Sequence, residues 1–187
     1  GRLDEDGYLW ITGRAKDLII RGGHNIDPTA IEEIFFRHPA VALAAVVGQP
    51  DAYAGELPVA YLQLKPAAYA GAAELLDFVR QHTPERAAVP VNAFFIDPMP
   101  LTGVGKVFKP ALRWDAARRV LSQSLEGLTK QGVEVSVEVG AHAVHGSVAT
   151  VTLKGVPEGA RAGLEQQVHE SLNPFVLRHE IVWRQGG

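Results

Sequence analysis

Short runs of apolar and β-branched residues alternate along this chain with longer segments that put their apolar residues on one helical face. That alternation restricts it to helices layered on sheet. VALAAVVG (41–48) and PVAYLQLK (58–65) predict buried strands, with PDAYAGE a polar loop between them. A helix is expected over Ala72–His82, turning Leu75, Leu76 and Val79 inward, and NAFFID (92–97) predicts a further strand. From about Gly127 the order returns as VEVSVEV, GAHAVHG, SVATVTLKG, EGARAGLEQQVHESL and HEIVWR: strand, loop, strand, helix, strand. A diverged internal duplication gives such an order, and so does the recurrence of a common α+β layout. The expected fold class is α+β: a small mixed-sheet domain over residues 1–126 with helices packed on the sheet, then a β-β-α-β extension over 127–187. That extension is read as a diverged repeat or an interaction module.

Toward the N-terminus, DEDG (4–7) reads as a turn, and YLWIT and DLIIR as two short strands forming a hairpin around GRAK. Asp27 followed by Pro28 is a helix start, because the carboxylate caps free amides and proline tolerates the first turn. Ile31, Ile34 and Phe35 then share a face, and the helix should stop near His38-Pro39. PMPLTGVGK is a glycine-bearing loop, and KPALRWDAARRVL a helix closing the first domain.

Composition narrows the chemistry. At 187 residues and 47% hydrophobic content the chain has ample material for a buried core. A net charge of −3 gives no broad positive field, so general attraction to nucleic acid or anionic membrane is disfavoured and any anion must be held locally. No apolar run is long enough to span a bilayer, and the N-terminus lacks a signal pattern. The absence of cysteine removes disulfides, thiolate metal sites and enzyme-bound thioesters, and fits a cytoplasmic protein in which any reacting sulfur arrives with a substrate. The lone methionine is Met99, so the chain reads as a piece of something longer.

Two stretches carry candidate chemistry. In PLTGVGKVFK the glycines either side of Val104 let a loop approach a ligand, and Lys106 supplies a compact charge; an ordinary exposed loop lysine fits the same residues. A phosphate-binding P-loop is excluded, since Pro100 stands where its first glycine belongs and Val107 replaces the magnesium-binding hydroxyl. In TGRAKDLIIRGGHNIDP, Arg14 can donate a planar fork to phosphate or ribose oxygens, and Lys16 and Asp17 sit where the hairpin changes direction. Gly22-Gly23 suits a tight turn before a helix as well as close approach by a cofactor, and His24 reads as a turn residue or a ligand. His142 and His145 lack nearby carboxylates, so no metal site is expected. Trp10, Trp114 and Trp183 are scattered and should pack, and no nucleophile elbow is present.

GRAKDLIIRGGHNIDPTAIEE (13–33) followed by PMPLTGVGKVFKPAL (98–112) closely resembles the C-terminal domain of AMP-forming acyl-CoA synthetases, within the adenylate-forming superfamily that includes nonribosomal-peptide adenylation domains and luciferases. The resemblance covers about residues 1–120. It implies a mobile lid domain and a two-step reaction. ATP and a carboxylic acid give acyl-AMP and pyrophosphate, and the acyl group then passes to the thiol of coenzyme A. By position, Lys106 would contact the carboxylate and α-phosphate, Arg14 the ribose, Lys16 and Asp17 would form the hinge, and Gly22, Gly23 and His24 would lie along the pantetheine arm of CoA. Lys109 stands where the family often has arginine, a mild departure, and Asn25 stands where some members have an arginine for CoA, so that contact is not carried over. The partner implied is an N-terminal adenylation domain of the same chain that holds ATP with magnesium and the acyl pocket; it is expected upstream of Gly1, so the piece alone should be inactive. An adenylation domain serving a carrier protein, and oligomerisation through the extension, are the alternatives.

Overall fold

The structure, a computed structural model, describes residues 2–3, 5–10 and 17–185. In chain order its elements are β1 (Arg2–Leu3), β2 (Leu9–Trp10), β3 (Ile19–Arg21), β4 (His24–Ile26), α1 (Pro28–Phe36), β5 (Val41–Asp51), β6 (Gly55–Leu64), α2 (Ala72–His82), β7 (Asn92–Phe95), α3 (Lys109–Ser124), α4 (Glu126–Lys130), β8 (Glu134–His142), β9 (Gly146–Lys154), α5 (Glu158–Leu172) and β10 (Arg178–Arg184). The chain divides into two compact units, one of Gly1–Gly48 with Glu56–Val107 and one of Gln49–Gly55 with Phe108–Gly187.

In the first unit, a mixed five-stranded sheet runs β4-β3-β6-β5, with β7 also paired to β6. β6 and β7 are parallel, from Val59 opposite Asn92 to Leu62 opposite Phe95, as a strand-helix-strand crossover through α2 requires. β5 and β6 are joined by residues 52–54 alone and so run antiparallel. The core gathers Ile19, Ile26, Ile31, Phe35, Val46, Leu62, Leu75 and Val79. α1 begins as expected: the Asp27 carboxylate accepts the Thr29 amide at 2.9 Å, Pro28 opens the helix, and Ile31, Ile34 and Phe35 are buried.

Two expectations are corrected here. Among the described residues YLWIT and DLIIR do not pair with each other: β2 pairs antiparallel with β1, Leu3 opposite Leu9, and β3 pairs antiparallel with β4, Arg21 opposite His24. Each strand takes the partner reached by the shorter loop, which costs the least closure entropy. The polar loop PDAYAGE contracts to residues 52–54, because Asp51 Oδ1 accepts the amides of Tyr53 and Ala54 at 3.0 and 2.7 Å and turns the chain at once.

In the second unit, a three-stranded sheet is ordered β10-β9-β8, with β8 antiparallel and β10 parallel to β9. Val137, Ala149, Val151 and Leu153 face Leu121 of α3, Leu125 between α3 and α4, Leu128 of α4, and Leu164, Val168 and Leu172 of α5. The expected loop GAHAVHG likewise shortens, since β8 continues to His142 and Gly146, with φ +73°, starts β9. In both units, therefore, a hairpin is followed by a helix and by a strand laid parallel on the hairpin's second member: β5-β6-α2-β7 and β8-β9-α5-β10. Among the described residues no helix is long and apolar enough to cross a membrane.

Candidate functional site

The glycine loop is a small closed structure. Leu101 and Val107 form an antiparallel bridge, and inside it the Thr102 amide donates to Lys106 O at 2.7 Å and the Gly105 amide to Thr102 O at 2.9 Å. The Lys106 amide donates back to the Thr102 hydroxyl at 3.2 Å. Gly105 adopts φ +76°, a conformation L side chains resist, so this glycine is required by the turn. Lys106 is exposed, and among the described residues its ammonium makes no ion pair. Val104 beside it is 81% exposed, an apolar tip held in solvent. The backbone of Lys106 is thus fixed on both sides while its side chain stays free to meet an outside anion.

Gly22 and Gly23 form the two-residue turn between β3 and β4. Their φ values of 55° and 86° are those of a type I′ turn, which matches strand twist and favours glycine at both positions. The expectation of a turn directly before a helix is therefore shifted, since β4 intervenes before α1. A β-carbon on either glycine would meet nothing within 4 Å, so backbone conformation alone demands them and the tip is bare. His24 lies in β4 rather than in the turn. It is exposed, with Nδ1 3.7 Å from Glu85 Oε1. Arg21 donates to the Ala87 carbonyl at 2.8 Å, so the segment around Arg86–Ala88 backs the hairpin. Arg14 and Lys16 lie outside the described residues; Asp17 is half-buried just ahead of β3.

Gly22, Gly23 and His24 therefore share one hairpin, whereas Lys106 belongs to a separate loop, and among the described residues no hydrogen bond or ion pair links the two. Sequence reasoning missed Glu56, assigned to a loop but placed in β6, where its Oε2 accepts the Ile20 amide at 3.0 Å and fastens β3, the strand just after Asp17. Nothing in its spacing marked it. Among the described residues no cluster of three or more histidine, aspartate or glutamate side chains could hold a metal ion.

A small α+β domain that pairs a bare glycine hairpin with an exposed lysine on a pinned glycine loop defines a recognisable class. Residues 30–106 match the family described as AMP-binding enzyme C-terminal domain, a span ending on Lys106. The chain belongs to that family, whose structural neighbours here are adenylate-forming enzymes. It is similar to marinolic acid–CoA ligase of Pseudoalteromonas sp. (strain SANK 73390), 41% identical over 170 residues, covering 91% of this chain and 26% of that protein. It is also similar to the putative acyl-CoA synthetase YngI of Bacillus subtilis (strain 168), 44% identical over 111 residues, 59% of this chain and 20% of that one. Among solved structures, ATP-bound MatB from Rhodopseudomonas palustris superposes with a TM-score of 0.55 at 35% identity, covering 60% of this chain and 22% of the other. The o-succinylbenzoate CoA synthetase MenE of Bacillus subtilis, in complex with its acyl-adenylate intermediate, gives 0.54 at 36% identity, over 59% and 22%. The chain spans only about a quarter or less of the curated relatives it matches. The match at 91% of the chain necessarily takes in most of the β8-β9-α5-β10 segment, so that segment too has a counterpart in a ligase.

Proposed function

We propose that this chain is the lid domain of an AMP-forming acyl-CoA synthetase, working with an adenylation domain that binds ATP, magnesium and the carboxylic acid. The observation carrying this reading is Lys106: an exposed ammonium without an ion-pair partner among the described residues, on a loop whose backbone is held by Thr102. Such a group is suited to offset charge that accumulates as a carboxylate attacks the α-phosphorus and pyrophosphate departs. A cation fixed beforehand in that position stabilises the transition state more than the ground state, and removing one such partner typically costs about 10²–10³ in rate. The bare Gly22-Gly23 hairpin suits the second step, because a tip without side chains lets a slender thiol-bearing arm lie against backbone. Arg14 and Lys16 keep the ribose and hinge roles that the resemblance implies, with rotation about the hinge presenting first the lysine loop and then the glycine hairpin.

The test is Lys106→Ala in the enzyme that contains this domain, with the half-reactions measured separately. Acyl-AMP formation should fall about 10²–10³-fold while transfer to CoA from preformed adenylate stays near the parent rate. Equal loss in both steps would falsify the assignment.

A further inference from the structure

We propose that the β8–β9 turn and the start of β10 form a phosphate-binding site in the second unit, built from Arg178, His145 and His142. The sheet has two chemically distinct faces. Val135, Val137 and Val139 of β8 and Ile181 and Trp183 of β10 pack with the helices, which turns His142, Glu138, Arg178 and Glu180 to the other face. In register across that face stand Gly140, Val148 and Arg178. Gly140 contributes no side chain, and a β-carbon there would meet nothing within 4 Å, so the face is open on the far side of Val148 from Arg178. A cleft of about 420 Å³ lies at this end, lined by His145, Gly146, Ser147, Val176, Leu177 and Arg178.

The polar groups around the cleft are donors. Arg178 offers its guanidinium fork and makes no ion pair among the described residues. His142 Nδ1 accepts the amides of Val144 and His145, both at 3.2 Å, which puts the neutral ring's proton on Nε2. Its ring stacks on His145 with centroids 4.9 Å apart and an 11° interplanar angle. The acids on this face are engaged or displaced along the strands: Glu180 accepts from Thr150 Oγ1 at 2.8 Å, Glu138 stands opposite Thr150 one row from Gly140, and Glu134 pairs with Lys154 farther on. The segment 173–177 and the facing residue Val148 carry no titratable group.

Donors and positive charge gathered without an intervening acid repel one another, and an anion with several acceptor oxygens relieves that repulsion. His145 registers it already: desolvation of the ring, then the Arg178 charge, then His142 hold it below the ordinary imidazole range. A tetrahedral phosphate can engage more of these donors together than the two oxygens of a carboxylate. The inference uses no residue of the lysine loop or the glycine hairpin and does not depend on the proposed ligase activity.

The test is to titrate inorganic phosphate, and separately AMP as a phosphomonoester, into this chain at constant ionic strength while following the histidine side chains by NMR. His142 and His145 should shift saturably and the titration midpoint of His145 should rise, with His24, His38 and His82 showing no saturable change. Arg178→Gln should weaken binding about tenfold or more, whereas Arg184→Gln, at the far end of the same strand, should change it less than about twofold. Either ligand binding in this pattern supports the site, and the tighter of the two identifies whether the phosphate is free or carried on an organic group. Absence of saturation by both ligands, or equal weakening by the two arginine variants, would overturn it.

Discussion

The carboxylate of Glu56 lies over Gly48: a β-carbon at position 48 would come 2.6 Å from its carboxyl carbon, and one of its oxygens holds the Ile20 amide at 3.0 Å. β5, β6 and β3 are thereby tied at one point. Gly48→Ala should push the carboxylate aside and release the Ile20 amide, which then exchanges faster with solvent, at a cost of about 0.5–1.5 kcal/mol for one hydrogen bond. Glu56→Ala should release the same amide. The double variant should be no less stable than Glu56→Ala alone, beyond the few tenths expected from strand propensity, because the clash is gone. Additive losses in chemical denaturation would refute the coupling.

The Thr102 hydroxyl accepts the Lys106 amide at 3.2 Å. Thr102→Val keeps the shape of the residue and removes only that acceptor. On the proposed function, in an enzyme containing this domain it should lower acyl-AMP formation by about tenfold through misplacement of the ammonium, leave transfer from preformed adenylate unchanged, and shift the melting temperature by no more than ~2 °C, since the loop is exposed. A variant equally slow in both steps would show that Thr102 acts elsewhere.

His169 Nδ1 and His179 Nε2 are 2.7 Å apart and join α5 to β10, while Glu165 Oε1 lies 3.7 Å from His169 Nε2. Desolvation, and then His169, lower the affinity of His179 for a proton. A histidine depressed in the folded state binds more protons when unfolded, so stability rises with pH between the folded value and 6.5 and is lost as pH falls below 6.5. Thermal melts from pH 8 to pH 5 should show the second unit weakening over that window. His179→Gln should flatten the dependence, and an unchanged slope in that variant would count against the pair as its source.

Removing the cap at Asp27 should cost about 1 kcal/mol in Asp27→Ala and much less in Asp27→Ser, because serine also accepts an N-terminal amide. For a chain of this length the alanine variant should melt about 2–4 °C lower. Equal melting temperatures for alanine and aspartate would mean that Pro28 and the buried face of α1 set its start unaided.

α2 and α5 were readable to the residue, Ala72–His82 and Glu158–Leu172, because a repeating apolar face marks a helix along its whole length. Strand partners were not. Period-two runs such as YLWIT and DLIIR announce strands without saying which neighbour each will take. The loops around Asp51 and His142 were read as too long, because polar and glycine residues that continue a ladder resemble those that leave it. Lys106 taken alone was an ordinary loop lysine, and only the two motifs together pointed to chemistry. The His169–His179 contact and the Glu56 tether depend on packing between separate elements, and no spacing along the chain encodes them.

At the β3–β4 turn the demand for glycine comes from the sign of φ, since both α-carbons look onto empty space. The chain there selects handedness rather than size. A D-alanine introduced by chemical synthesis at position 22 or 23 would sit in its own favoured region, stiffening the tip where its mirror image would strain it.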